Sequence, residues 1–187
     1  MRLLCLLSDG FEDLEAVGTG ALLRRAGISV DYATVYGDNL KAVKGSQGTM
    51  VMPDRNMKEV NVEDYDGLFV PGGPHAKRLR EDANVLSLIR KFHEANKWMF
   101  AICAAPSVFG RAGIMDGVCY ISFPGTESYL PDSTRMPDSV VRDGKIITGK
   151  GAGVVVEFAL AIIEALLGED KACDVKHRIQ YMKDEEK

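Results

Sequence analysis

The chain has 187 residues, 46% hydrophobic and 27% charged, with a formal net charge of -4 at pH 7. That length buries an apolar core without help from disulfides or metals, and no Pro/Ser-rich linker divides it, so one domain over residues 1–187 is expected. Mild acidity, with only Lys77-Arg78-Leu79-Arg80 as a basic run, argues against nucleic acid as a partner, and the absence of a signal-peptide-length or membrane-spanning apolar run argues against a membrane and for a cytoplasmic protein.

In chain order, Arg2–Leu7 reads as a buried strand and Glu12–Ala26 as a helix stopped by Gly27. Ile28–Val35 alternates as the next strand, and Leu40–Met52, ended by Pro53, as a hairpin on a sheet edge. Gly67–Val70 is a strand closed by Pro71-Gly72-Gly73, Asp82–Asn96 a helix with one apolar side, and Trp98–Ile102 a strand. A short helix, Ala105–Ala112, carries Pro106 in its first turn and stops at Gly113. Val118–Ser122 reads as a strand, followed by loop to Asp138 and a hairpin over Ser139–Thr148 turning at Asp143-Gly144. Val154–Leu167 is the most apolar helix, and a polar helix follows Gly168. This alternation implies an α/β fold with a mostly parallel sheet covered by helices on both faces, whose ligands sit beyond the carboxyl ends of the strands. The exits at Ser8, Pro71, Cys103 and Gly149 are therefore where chemistry is sought.

At one of these exits a buried strand delivers Cys103 into a helix start, with the small residues Ala104 and Ala105 leaving room for a tight elbow. Free amides there favour thiolate over thiol, although a buried cysteine is also a plain small hydrophobe. Cys5 and Cys119 sit in apolar strands and are read as inert, and Cys173 lies on the polar helix. With no C-x-x-C pair and three scattered histidines, neither a disulfide framework nor a metal site is expected. Pro71-Gly72-Gly73-Pro74 is either an amide nest for an oxyanion or a plain turn. Glu15, on the small and apolar stripe with Gly18, Thr19 and Leu22, is either a solvated acid or one held against the thiol with its proton retained. Gly144–Gly151 nearly spells a phosphate loop but lacks the final Ser/Thr and overlaps a strand.

Five blocks, Ser8–Glu15, Arg24–Gly27, Val70–Gly73, Ala101–Pro106 and Glu157–Ile162, together resemble the ThiJ/PfpI superfamily, nearest to its branch of Parkinson-disease deglycase and YajL proteins. The resemblance runs in order from the first strand to Leu167. It implies a flavodoxin-like three-layer sandwich, usually a homodimer, without cofactor or metal. It also implies Cys103 as nucleophile, Glu15 as the protonated acid on its sulfur, and the amides of Gly72, Gly73 and Ala104 as oxyanion donors.

Three departures from the family pattern stand out. Ala104 occupies the position where the protease-like branch has His, which disfavours proteolysis and glutamine amidotransfer. Phe123-Pro124 occupies the place of a His-Pro pair in the deglycase branch, and Gln47 and Lys150 replace basic residues near the site. Phe123 is expected to dry the crevice, and His75 either serves from the opposite wall or is a solvated loop residue. Two readings follow: a cofactor-free glyoxalase or deglycase acting on small aldehydes or early glycation adducts, or a noncatalytic redox sensor or chaperone that oxidises Cys103.

Overall fold

The computed structural model describes residues 1–37 and 40–181. In chain order its elements are β1 (Arg2–Leu7), α1 (Thr19–Arg25), β2 (Ser29–Thr34), β3 (Val43–Lys44), β4 (Met50–Val51), β5 (Arg55–Asn56), β6 (Gly67–Val70), α2 (His75–Glu81), α3 (Ala83–Glu94), β7 (Trp98–Ile102), α4 (Pro106–Ala112), β8 (Cys119–Tyr120), β9 (Thr134–Arg135), β10 (Val140–Asp143), β11 (Ile146–Gly149), α5 (Val155–Leu167) and α6 (Glu169–Arg178). The main sheet has seven strands in the order β10-β11-β7-β6-β1-β2-β5. All its pairings are parallel except β10 with β11.

Strand side chains point alternately to opposite faces, and the core divides accordingly. Leu4 and Leu6 of β1, Leu68 and Val70 of β6, and Met99 and Ala101 of β7 pack with Leu79, Ile89, Phe92 and Val108 from α2, α3 and α4. Leu3, Cys5 and Leu7, Phe69, and Phe100 and Ile102 face the other way, against Leu23, Phe158, Ile162 and Val175 from α1, α5 and α6. The result is the expected three-layer α/β sandwich, with strands buried on both faces as continuous apolar runs require. Chain order reverses across the sheet: β2 lies on one side of β1, while β6, β7 and β11 lie on the other. The crevice beyond the carboxyl ends of β1 and β6 is therefore the topological switch point, where such folds bind ligands.

Four readings are corrected. The segment Leu40–Met52 does pair as a ribbon, β3 with β4, but as a separate sheet rather than an edge of the main one. On that side of the sheet the edge strand is β5, too short to show a period. The run after Pro74 is a helix, α2, packed on α4, whereas the sequence suggested a loop; its lack of an N-cap side chain and its seven residues hid it. Val118–Ser122 shrinks to β8, which pairs in parallel with β9 inside the stretch read as loop. The first helix opens with a π turn over Leu14–Gly18 before continuing as α1.

The turn of the ribbon is fastened to the start of that helix by the Asp13 carboxylate, while Lys44 of β3 is held by Asp9 Oδ1 at 2.8 Å and by the Gly10 amide at 2.8 Å. Asp13 Oδ2 accepts from the Gln47 amide at 2.8 Å and Oδ1 from the Thr49 amide at 2.8 Å. The Ser46 amide bonds to the Phe11 carbonyl at 2.8 Å. Hydrogen bonds to a charged acceptor contribute about 1.5–3 kcal/mol, so Asp13→Ala is expected to lower stability by about 2 kcal/mol in urea unfolding. Hydrogen exchange should accelerate first at the Gln47 and Thr49 amides. Unchanged exchange there would show that the turn is held by other contacts.

Candidate active site

Strand β7 ends at Ile102, and the chain reverses at once into α4. Cys103 takes φ 62°, one of three non-glycine residues with left-handed backbone among the described residues, beside Asn96 and Gln180. Such a conformation costs about 1–3 kcal/mol and persists only where the surroundings hold it. Here the Cys103 N–H donates to the Gly149 carbonyl at 2.8 Å, its carbonyl accepts from the Phe123 amide at 2.8 Å, and the Ala105 amide closes the turn onto Ile102 at 3.0 Å. Ser107 Oγ accepts from Arg80 at 2.7 Å and donates to the Ala104 carbonyl at 2.5 Å, which ties the elbow to α2.

The Gly72-Gly73 turn is the second component. A Cβ at Gly72 would stand 2.6 Å from Cys103 Cβ, 2.8 Å from the Ala104 nitrogen and 2.8 Å from Glu15 Oε2, so this position admits no side chain. Gly73, at φ 99°, is pressed equally closely on Gly10 and Glu12, and the Glu12 amide bonds to the Gly72 carbonyl at 2.8 Å. The turn is thus clamped between the exits of β1 and β7.

Glu15 is the third. It sits in the π turn, fully buried, its amide capped by Glu12 Oε2 at 2.7 Å. Its Oε2 accepts from the Gly72 amide at 2.7 Å, while Oε1 has no partner. Burial pushes the carboxyl up to about 7, against the pull of the Gly72 amide and the Cys103 contact. Burial and the neighbouring Glu15 charge push the Cys103 thiol up to about 12, against hydrogen bonds from the Ala104 and Gly73 amides. The expected ease of thiolate formation at the helix start therefore meets a stronger opposing force. The two groups are coupled: once the pair has lost one proton, the negative charge it carries makes the second far harder to remove. An unpartnered Oε1 favours keeping the proton on the carboxyl, and the two amides aimed at sulfur favour placing the charge there.

Of the residues singled out from sequence, Cys103, Glu15, Gly73 and Ala104 meet in one crevice. The Gly72 amide is also there but is committed to Glu15, leaving Gly73 and Ala104 as the donors aimed at sulfur. His75 is not a solvated loop residue. It is buried in the first turn of α2, its Nε2 donating to the Pro71 carbonyl at 2.7 Å and its Nδ1 accepting from the Ser8 amide at 3.3 Å. Burial pushes it down to about 4, so the ring is neutral, with both nitrogens occupied in bracing the β1 and β6 exits. Phe123 lies at the rim, half exposed. Cys5 is fully buried and its thiol raised by burial, Cys119 is half-buried and Cys173 exposed. The near-phosphate loop is strand β11. The sequence gives no local sign of the Arg80–Ser107 brace, nor of Gly151, where a Cβ would stand 4.0 Å from Cys103 Sγ. Among the described residues no three His, Cys, Asp or Glu side chains form a metal-holding group, and no helix is long and apolar enough to cross a membrane.

A family model described as the DJ-1/PfpI family matches residues 1–165. Protein dj-1beta of Drosophila melanogaster is 34% identical over 175 residues, 92% of each chain. The glutathione-independent glyoxalase DJR-1.2 of Caenorhabditis elegans is 31% identical over 170 residues, 90% of each. The solved structure of oxidised Toxoplasma gondii DJ-1 aligns with a TM-score of 0.89 at 30% identity, covering 97% of this chain and 99% of that one.

Because Glu15 binds its proton more tightly folded than unfolded, stability is fully present below its ordinary value of 4.5 and is lost as pH rises to about 7. A difference of that size corresponds to a loss on the order of 3 kcal/mol. Glu15→Gln retains an acceptor for Gly72 and a donor for sulfur without ionising. In urea unfolding it is expected to flatten the pH dependence between 4.5 and 7 and to exceed the parent chain in stability at pH 8. Parallel profiles for the two proteins would place the Glu15 proton elsewhere.

Proposed function

The chain belongs to the DJ-1/PfpI family, and on that premise we propose that it is a cofactor-free enzyme of the glyoxalase and deglycase branch, acting on small reactive aldehydes or early glycation adducts. The observation that carries this reading is the Glu15–Cys103 pair: a cysteine on a strained elbow stands against a buried carboxyl, with the Gly73 and Ala104 amides aimed at its sulfur.

For a 2-oxoaldehyde the steps balance as follows. The sulfur of Cys103 adds to the aldehyde carbon, and the proton held by Glu15 passes to the aldehyde oxygen, giving a hemithioacetal. Glu15 then takes the proton from that carbon and returns it to the neighbouring carbon, while the hydroxyl proton moves to the adjacent oxygen, leaving a thioester of a 2-hydroxy acid. Water cleaves the carbon–sulfur bond, releasing the 2-hydroxy acid and restoring the thiol. The amides stabilise the oxygen as charge develops on it. We place this activity in the cytoplasm, and the exposed Leu14 and Val17, beside the ribbon carrying Met50 and Met52, supply an apolar face that suits a homodimer.

A second reading rests on the same sulfur. Phe123 transfers no proton, and a crevice with two amides and a protonated acid also suits a sulfinate, formed when peroxide oxidises the sulfur twice with release of two waters. The relative from Toxoplasma gondii was solved in an oxidised form. On this reading the protein is a redox sensor or redox-regulated chaperone.

Conversion of methylglyoxal to lactate decides between them. Turnover is expected to be slow, since a well-placed base contributes about 10²–10⁴ in rate and Phe123 supplies none. It should vanish in Cys103→Ala and Glu15→Ala, survive His75→Ala within a few-fold in whatever fraction folds, and rise in Phe123→His. Lactate formation that persists in Cys103→Ala would overturn the enzymatic reading.

A further inference from the structure

The space over the Cys103 thiol has two walls that the chemistry above leaves unused. Gly151, two residues beyond the end of β11, has φ 162° and ψ -174°, an extended backbone open to any residue. A Cβ built there would stand 4.0 Å from Cys103 Sγ and 3.8 Å from Phe123 Cδ2, with no atom nearer. A methyl-sized point in contact with both the sulfur and the ring edge is therefore empty only because residue 151 is glycine. On its other sides the sulfur meets Glu15 and the amides of Gly73 and Ala104.

Phe123 is tied to this place through its backbone. Its N–H donates to the Cys103 carbonyl at 2.8 Å, and its carbonyl accepts from Thr126 Oγ1 at 2.9 Å. Phe123 is 53% exposed at the rim of the crevice.

We propose that the gap between Gly151 and Phe123 is the slot for the carbon substituent of the electrophile that Cys103 attacks, with Phe123 the specificity-determining wall, so that arylglyoxals are preferred over methylglyoxal and over anionic aldehydes such as glyoxylate. The choice of glyoxals rests on the enzymatic reading above; the slot itself does not. When sulfur bonds to the aldehyde carbon, the carbonyl electron pair moves to oxygen and takes the Glu15 proton. The remaining substituent then extends from the sulfur toward the empty point. A flat apolar group meets the Phe123 ring edge there, the arrangement aromatic pairs favour. A carboxylate placed there faces the negative charge that the Glu15–Cys103 pair carries once it ionises.

The test uses two α-halo ketones that differ only in phenyl against methyl, phenacyl bromide and bromoacetone. In both, a carbon–sulfur bond forms, the carbon–bromine bond breaks and bromide leaves. The ratio of their alkylation rates at Cys103, read by peptide mass and divided by the same ratio for glutathione, is expected to be about tenfold, at the low end for apolar pocket discrimination because the ring is half exposed. Phe123→Ala should bring it near one. Gly151→Ala, whose methyl fits at ordinary contact distance, should slow both reagents at Cys103 while leaving thermal unfolding unchanged. In parallel, phenylglyoxal should be turned over faster than methylglyoxal. A corrected ratio near one in the parent chain, or one unaltered by Phe123→Ala, overturns the slot. A raised ratio in a protein that converts neither glyoxal upholds the slot and counts only against the enzymatic reading.

Discussion

Everything at the carboxyl edge of the sheet depends on one close approach: the backbone of Gly72 against the left-handed Cys103. A side chain at residue 72 would strike the cysteine, the Ala104 nitrogen and Glu15 together. With none there, the turn after β6 comes near enough for the Gly72 amide to hold Glu15 and for the Gly73 amide to reach sulfur. The strained φ at Cys103 is held by hydrogen bonds on both of its own peptide groups, to Gly149 and Phe123. These come from segments that are remote in sequence. The elbow is thus a tertiary construction, and the strain is stored where the chemistry is placed.

The proton economy of the crevice follows from that approach. Burial disfavours charge on both Glu15 and Cys103, yet two amides face the sulfur and only one faces the carboxyl. A pair that gives up one proton readily and guards the second is a compact acid and nucleophile in one. His75, the one histidine at a strand exit, cannot add to this, because burial keeps it neutral and both nitrogens are engaged. The opening over the sulfur is left to an aromatic edge and a bare glycine.

Much of this was legible in the residues. Long apolar runs such as Arg2–Leu7 and Trp98–Ile102 announce strands buried on both faces, and glycine stops such as Gly27 and Gly113 announce helix ends. Cys103 was legible as an elbow because a strand of bulky residues runs into Ala104-Ala105-Pro106 with nothing between. The rest was hidden for physical reasons. Helix α2 has seven residues and no capping side chain, so its local signal is weak. Strands of two residues, such as β5 and β8, are stabilised by their neighbours and have no period to read. At Gly72 the sequence fits either a nest or a turn, because its need to lack a side chain comes from residues 103 and 15 rather than from its own neighbours. His75 reads from sequence as either a base on the opposite wall or a solvated loop residue, because nothing nearby in sequence shows that Ser8 and Pro71 close around it.

The claim on which the account stands is that the titrations of Glu15 and Cys103 are coupled. Thiolate absorbance followed against pH, with Cys103→Ser subtracted to isolate this sulfur, tests it directly in the parent chain and in Glu15→Gln. The account predicts a thiolate step displaced toward 12 in the parent, where the Glu15 charge opposes it, and a step at lower pH in Glu15→Gln. Superimposable curves would mean that the carboxyl does not act on the sulfur, and would contradict the account.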